Sequence, residues 1–561
     1  MIKSLFKTVL LAALLVCVGS CDDILDQSPD NRTEIDTPYK VRQLLTSGYP
    51  STCPAVICEL SGDNFVDNNV VLVSTHKDPY ASFHEETYMW EDIRNYSTTE
   101  DDTPYAVWEA YYAGIAVCNH AIEAMEEMAA ENGTDPWEDE DLSHSWGEAH
   151  VLRAYLHFIL VNVFAEAWKD DDQSQYDTGV PYVTDVETTV SVDYGADIPS
   201  VKEVYDNIEA DLLEGIDLID DSMYDVPAYH FNRNAANAFA ARFYLFKREY
   251  EKVLDYADAA LGSNPSSTLR NWANIDGSTI AAKLIQYNDE EESSNFLIQA
   301  TYSLFDRMLS AGRYAINTGN DTYDVPNTKN IIFDGGGPNW SGRLQAFSGK
   351  LYYWSSLGSE YGSFMFNIYE YFEYTDKIAG IGYVHIVYHP LTADETLLCR
   401  AEAKLYLGDQ AGAITDLGYW TYAHEEDDEL TLSGITTKYS GTADSNIWVN
   451  DINPTSMSSE FVELTGDDLA VLHCILHFRR IETIYEGQRW FDIKRYGINV
   501  HHAYRGATDD EVTEDDLLWN DGRRVLQIPN NVITAGYPST DRSTGTVVSG
   551  SDLESEPILS N

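Results

Sequence analysis

Four times along this chain, two stretches of helical periodicity follow one another across a turn or a polar loop, and that arrangement limits the folds open to it. In the first pair Val107, Tyr111, Gly114, Cys118, Ile122 and Met125 recur at intervals of three and four, and an acidic loop from Glu131 to Leu142 leads to Ala149, Leu152, Leu156, Ile159 and Val163. In the second, Ala235, Ala238, Arg242 and Leu245 are followed by a turn at Arg248-Glu249, then by Tyr250, Val253, Ala257 and Ala260, with Gly262 placed to end the helix. The third joins Leu398, Ala401 and Leu405 to Ala413, Ile414 and Leu417 through Gly408-Asp409, where the glycine closes one helix and the aspartate caps the next. The fourth lies between Asp467 and Tyr496, with Thr465 as its expected N-cap. The apolar stripe on each helix must be covered, and the nearest cover is its partner. Each pair therefore reads as an antiparallel hairpin, with small residues where the helices cross.

Such pairs are tetratricopeptide-like, but long insertions separate them where a tandem array would repeat every ~34 residues. The expected fold is mainly α: one domain over 21–561, with a helical-pair scaffold at about 104–265 and 391–497. The insertion at about 266–390 has a different texture. From Trp340 to Tyr388, 14 of 49 residues are aromatic, preceded by Gly335-Gly336-Gly337-Pro338, so this part reads as irregular loop and short strand. Loops carried on a rigid scaffold are where binding residues gather. Residues 498–561 read as a C-terminal loop segment.

The first twenty residues set the compartment. Lys3 and Lys7 form a basic region and Val9 to Val16 an apolar one too short to span a bilayer comfortably, as in a signal peptide. Its end, Val18-Gly19-Ser20-Cys21, resembles a bacterial lipobox, which makes Cys21 the expected lipidation site and a two-chain anchor the expected tie to the membrane. Asp22 and Asp23 follow at once and resemble the surface-export signal of Bacteroidetes lipoproteins. The whole chain carries a formal charge of −58, and loss of Lys3 and Lys7 deepens it, so nucleic acid is excluded as a partner. The five cysteines left after Cys17 and Cys21 make no disulfide framework, although Cys53 and Cys58 flank a Pro54 loop and a bridge between them is open. No metal-ligand spacing appears and no cofactor is expected. The run Asp170-Asp171-Asp172 up to Asp177-Thr178-Gly179 lacks the spacing and terminal glutamate of a calcium loop and reads as a solvated turn.

Three motifs carry a family resemblance: Arg153-Ala154-Tyr155-Leu156-His157-Phe158, the stretch Glu395 to Ala403, and Glu486-Gly487-Gln488-Arg489-Trp490-Phe491-Asp492-Ile493-Lys494-Arg495-Tyr496-Gly497. With the Cys21 start and the Trp108 to Asn119 helix, their order resembles that of the SusD/RagB outer-membrane lipoproteins. The resemblance implies a SusD-like fold with a ligand face on the inserted loops, capture of oligosaccharide or polysaccharide at the cell surface, and a SusC-like TonB-dependent transporter as partner. It does not make the motif arginines ligands. Arg489, Asp492 and Arg495 stand at helical spacing near Glu482 and Glu486, which suits guanidinium-carboxylate pairs that fix the last hairpin. Arg153, and Arg400 with Glu402, suit the same work at helix ends and neighbouring loops.

Sugar recognition needs flat apolar faces beside amide, carboxylate or guanidinium groups. Two clusters offer both. One is Asp63, Asn64 and Asp67 to Asn69 with Trp90; the other is Asn339, Trp340, Tyr352, Tyr353 and Trp354. Two other classes compete with a non-enzymatic binding lipoprotein. A surface glycoside hydrolase would need a matched carboxyl pair, which cannot be picked out among 93 Asp and Glu. A repeat-type protein-interaction scaffold would leave the aromatic loops without a role. The negative charge favours a neutral glycan over a polyanion.

Overall fold

The computed structural model describes residues 35–67, 81–94, 96–186, 198–275, 280–310, 313–315, 368–424, 429–439, 452–454, 458, 461–505, 512–540 and 542. All four helical pairs form. The first is α1 (Pro104–Asn132) with α2 (Ser143–Phe164); a helix the periodicity did not announce, α3 (Val201–Gly215), packs along α2. The second pair is α4 (Arg233–Lys247) with α5 (Tyr250–Leu261), the third α6 (Ala393–Tyr406) with α7 (Gln410–Ala423), and the fourth α8 (Asp467–Glu482) with α9 (Gln488–Arg495). α6 sits between α5 and α8 and is buried on nearly every side.

The ends of these helices follow local chemistry. Thr103 caps α1 by accepting the Ala106 N–H at 3.0 Å, Asn232 caps α4 through Ala235, and Asp409 caps α7 through Gly412 at 2.9 Å, directly after Gly408 in the left-handed region. The α8 cap is a correction: Gly466, not Thr465, occupies that position, and no side chain caps the helix. Where α2 meets α3, Gly147 and Gly215 face each other. A Cβ on Gly215 would fall 2.5 Å from the Gly147 carbonyl oxygen, so the two backbones approach to a distance that no larger residue allows.

One contiguous apolar core runs from Cys53 to Tyr537, and a smaller cluster under the helix Pro38–Leu45 closes the far end of α1 and α2. Cys53 and Cys58 are both buried free thiols, so no bridge joins them. Asp170 is buried as the N-cap of the short helix Asp171–Ser174 and also accepts from Ser458, and this replaces the solvated turn expected there.

The insertion and the C-terminal segment contain more regular structure than their sequences announced. Three antiparallel strands, β1 (Asn295–Tyr302), β2 (Tyr371–Asp376) and β3 (Ile381–Thr392), form a sheet in the order β1-β3-β2. β3 is rich in β-branched and aromatic side chains, which a pleated surface accommodates well, and the strand passes directly into α6 through its cap Thr392. Beyond 498, a hairpin of β4 (Val500–Arg505) and β5 (Val512–Leu517) and a short helix Asn530–Thr534 replace the loop expected. Among the described residues, no helix is long and apolar enough to cross a membrane.

Asp102, just before α1, carries a testable charge. It has φ +63°, is buried and accepts the Leu304 N–H at 2.8 Å through one oxygen, while the other oxygen has no hydrogen-bond partner among the described residues. Burial pushes its carboxyl up to about 7, and the Leu304 N–H only partly opposes this. A raised folded value favours the protonated fold, so this contribution is complete below the unfolded value near 3.8 and is lost as pH rises through 7. Asp102→Asn keeps the acceptor and tolerates the positive φ. It is expected to gain on the order of 2 kcal/mol relative to the parent between pH 5 and pH 8 in urea denaturation. An equal difference at both pH values would refute the assignment.

Candidate functional site

The first cluster expected from sequence, Asp63, Asn64 and Trp90, lies in the interior with 1–2% exposure. Arg489 grips Asp63 with two bonds of 2.9 and 2.7 Å; Arg480 bonds the Asn64 amide oxygen at 2.7 Å and the Asp63 carbonyl at 2.6 Å; Asn64 in turn donates to Glu59. Burial opposes the Asp63 charge, yet the guanidiniums of Arg480 and Arg489 outweigh it and hold the carboxyl well below the usual range. Trp90 donates its indole N–H to the Ser61 carbonyl and stacks on His502 of β4, whose other face lies on Tyr88. Asp67 is likewise paired, with Arg313. The ligand role expected of Asp63, Asn64 and Trp90 thus gives way to a structural one. They had looked like a sugar site because polar residues beside an indole carry the same composition whether they face solvent or a buried guanidinium.

The motif arginines are structural as expected, but with other partners. Arg489 reaches Asp63 rather than Glu482 or Glu486, and Arg495 reaches Glu402 at 2.5 Å as well as Asp492. Arg400 turns away from Glu402 to Asp416 and Asp258, while Glu402 pairs with Arg479 and Arg495. Arg153 forks onto Asp211 at 2.8 and 2.6 Å and donates to Asn119.

The second expected cluster, Asn339, Trp340, Tyr352, Tyr353 and Trp354, lies outside the described residues, as does Cys21. The sheet that flanks it in sequence, β1 before it and β2 and β3 after it, is described, and its outer end exposes aromatic rings on both faces. Tyr302 and Tyr383 meet on one face with ring centroids 5.4 Å apart; Phe372 and Tyr374 meet on the other at 4.8 Å. Tyr383 is 56% exposed and Tyr374 51%. Opposite Tyr374 stands Gly382, where a Cβ would lie 1.9 Å from the Glu373 carbonyl oxygen and 2.8 Å from the Phe372 ring, so the missing side chain lets that ring lie across the strand. At the turn, Asp376 accepts the N–H groups of Ile378 and Ala379 and leaves Ile378 wholly exposed. Beside the sheet Arg307 and Glu370 form a solvent-facing forked pair.

Soluble proteins rarely leave so many rings in water on one hairpin. Flat exposed rings can stack on sugar C–H faces, and a solvent-facing guanidinium-carboxylate pair can bond sugar hydroxyls. Phe372, Tyr374 and Tyr383 fall within the aromatic-rich stretch, and Tyr302 falls outside it. The signal that would have marked their strands is a pair of β-branched and aromatic runs, 371–376 and 381–388, separated by a short turn that contains Gly380, the pattern of a β-hairpin. The carboxyls that burial raises to about 7, Glu59, Asp102 and Asp394, are 0–3% exposed, so none of them can meet a substrate.

Comparison with known proteins finds relatives in sequence and solved structures of the same fold. Residues 23–245 match a SusD-like family described as starch-binding and associating with the outer membrane. A SusD-like protein of Formosa agariphila is 22% identical over 551 residues, covering 91% of this chain and 95% of that protein. A SusD-like carbohydrate-binding protein from Bacteroides vulgatus superposes with a TM-score of 0.55 at 16% identity, over 89% of this chain and 97% of the other. A SusD superfamily protein from Bacteroides fragilis gives 0.53 at 17% identity, over 89% and 98%.

Proposed function

We propose, from the premise that the chain belongs to the SusD-like family, that it is a non-enzymatic glycan-binding lipoprotein of the outer membrane, which captures oligosaccharide or polysaccharide and hands it to a SusC-like TonB-dependent transporter. The observation that carries this reading is the aromatic sheet end, Tyr302, Phe372, Tyr374 and Tyr383, raised on the helical scaffold next in sequence to the stretch that holds Trp340 and Trp354. Cys21 is the proposed anchor. Burial of the raised carboxyls supports binding without hydrolysis, and the net charge of −58 favours a neutral glycan.

Calorimetry and affinity electrophoresis of residues 22–561 against neutral and anionic polysaccharides test the reading. At least one neutral polymer is expected to bind, and Tyr383→Ala and Trp340→Ala are each expected to weaken it about tenfold, the effect of losing one stacking ring. Absence of binding to every polymer, or turnover of a bound one, would overturn it. The transporter partnership falls if protein isolated from native membranes brings no large barrel protein with it.

A further inference from the structure

A separate cavity of about 390 Å³ opens on the outer side of the first hairpin, far in sequence from the sheet. Its floor is Trp108 and Tyr112 on α1, with ring centroids 4.8 Å apart; one wall is the backbone of 181–185 and the other the short helix Asn530–Thr534, through Val532. That volume is near the lower end of the range for small-molecule sites.

The 181–185 wall is fixed by side chains of the hairpin. Tyr112 donates its hydroxyl to the Pro181 carbonyl at 2.9 Å, and Asn119 donates both amide hydrogens, to the Val183 and Asp185 carbonyls at 3.1 and 3.2 Å, while its oxygen accepts from Arg153. His157 completes the wall. Its Nδ1–H donates to the Arg153 carbonyl and its Nε2 accepts the Val183 N–H, a neutral tautomer that fits burial holding the ring down to about 4. The Tyr182 ring then stacks on His157 at 3.8 Å. This cavity is built before any ligand arrives, so little ordering opposes binding.

Its interior is aromatic and aliphatic, whereas its polar groups, His120, Asp185 and Asn531, stand exposed at the mouth. An aromatic floor under an imidazole, a carboxylate and an amide suits a ring with one apolar face and a rim of hydroxyls. Asp185, with the overall charge, disfavours an anion. We infer that this cavity is a second carbohydrate site, which takes a neutral saccharide of one or two rings independently of the aromatic sheet. The choice of sugar as ligand rests on the proposed function; the cavity itself does not.

The test titrates residues 22–561 with methyl glycosides of glucose, galactose and mannose, and with maltose and cellobiose, by calorimetry and saturation-transfer NMR. Ala116→Trp and Ala535→Trp each fill the cavity from an exposed position at its edge and spare Trp108, which the core needs. Either blocked variant that keeps the parent's melting temperature is expected to bind the saccharide about tenfold more weakly or not at all, while Tyr383→Ala binds it as the parent does. No binding of any of these saccharides to the parent, binding indifferent to both blocks, or binding lost in Tyr383→Ala would each overturn the second site. Polysaccharide binding measured on the same variants is expected to fall in Tyr383→Ala and to hold in the two blocked variants, so failure of one reading is separable from failure of the other.

Discussion

Replacing Glu402 with alanine is expected to cost about 3–5 kcal/mol of folding stability, read from denaturant midpoints, although the residue touches no ligand surface. Glu402 is fully buried between three helices. It pairs with Arg479 of α8 at 2.7 Å and Arg495 of α9 at 2.5 Å, and accepts the Tyr496 hydroxyl at 2.6 Å; both arginines also share Asp492. Removing one carboxylate leaves two guanidiniums buried with a single counter-charge, and neither can shed its proton. Burial alone would push the Glu402 carboxyl up; the two guanidiniums outweigh it and bring it down to about 2. A lowered folded value means that this stability is present above the unfolded value near 4.5 and is lost as pH falls through 2. The parent should therefore lose stability on acidification through that window, and Glu402→Ala should lose less. A cost under about 1 kcal/mol, or the same acid sensitivity in both, would show that the network is not what locks α6 to α8 and α9.

Arg489→Ala is expected to be nearly as damaging, at about 3–4 kcal/mol, for a different reason. Its fork onto Asp63 joins residues 426 positions apart, and the neighbouring Glu59 accepts the Gly487 N–H at 3.1 Å, so the start of α9 is bonded both to the helix Ala55–Ser61, through Glu59, and to the segment just after it, through Asp63. Without Arg489, Asp63 keeps only Arg480, at 3.2 Å. Lysine should restore little, because a point charge cannot span both carboxylate oxygens. The double variant Asp63→Asn/Arg489→Gln should be less destabilised than the sum of its singles, since the unpaired buried charge is then gone. Strict additivity would mean that the pair does not interact. The polysaccharide affinity of Arg489→Lys, measured below its unfolding transition, should match the parent, because the motif holds the fold and faces no ligand.

The helical pairs were legible because their information is local. Gly408-Asp409 ends one helix and caps the next whatever surrounds it, and the spacing of Leu398, Ala401 and Leu405 defines a face within a few turns. The exception at Gly466 is also local: the chain enters α8 through a glycine with positive φ, which has no side chain to cap the helix. The site was less legible. Trp90 among polar residues looked like a ligand platform, and its fate was set by His502, more than four hundred residues away, which arrives on β4 and covers its ring. Tyr383 and Tyr374 looked like two aromatics among many, and only the register of β2 against β3 placed them in water.

The helical hairpins, their order and the structural character of the motif arginines can be read along the chain, because helix spacing, caps and turn glycines act between neighbouring residues. Tertiary structure alone decided which carboxylate meets which arginine, which rings stay exposed and where a cavity forms. With 93 acidic residues available to 35 basic ones, composition leaves the pairing open, and each choice is made by the geometry that brings distant segments within hydrogen-bond reach.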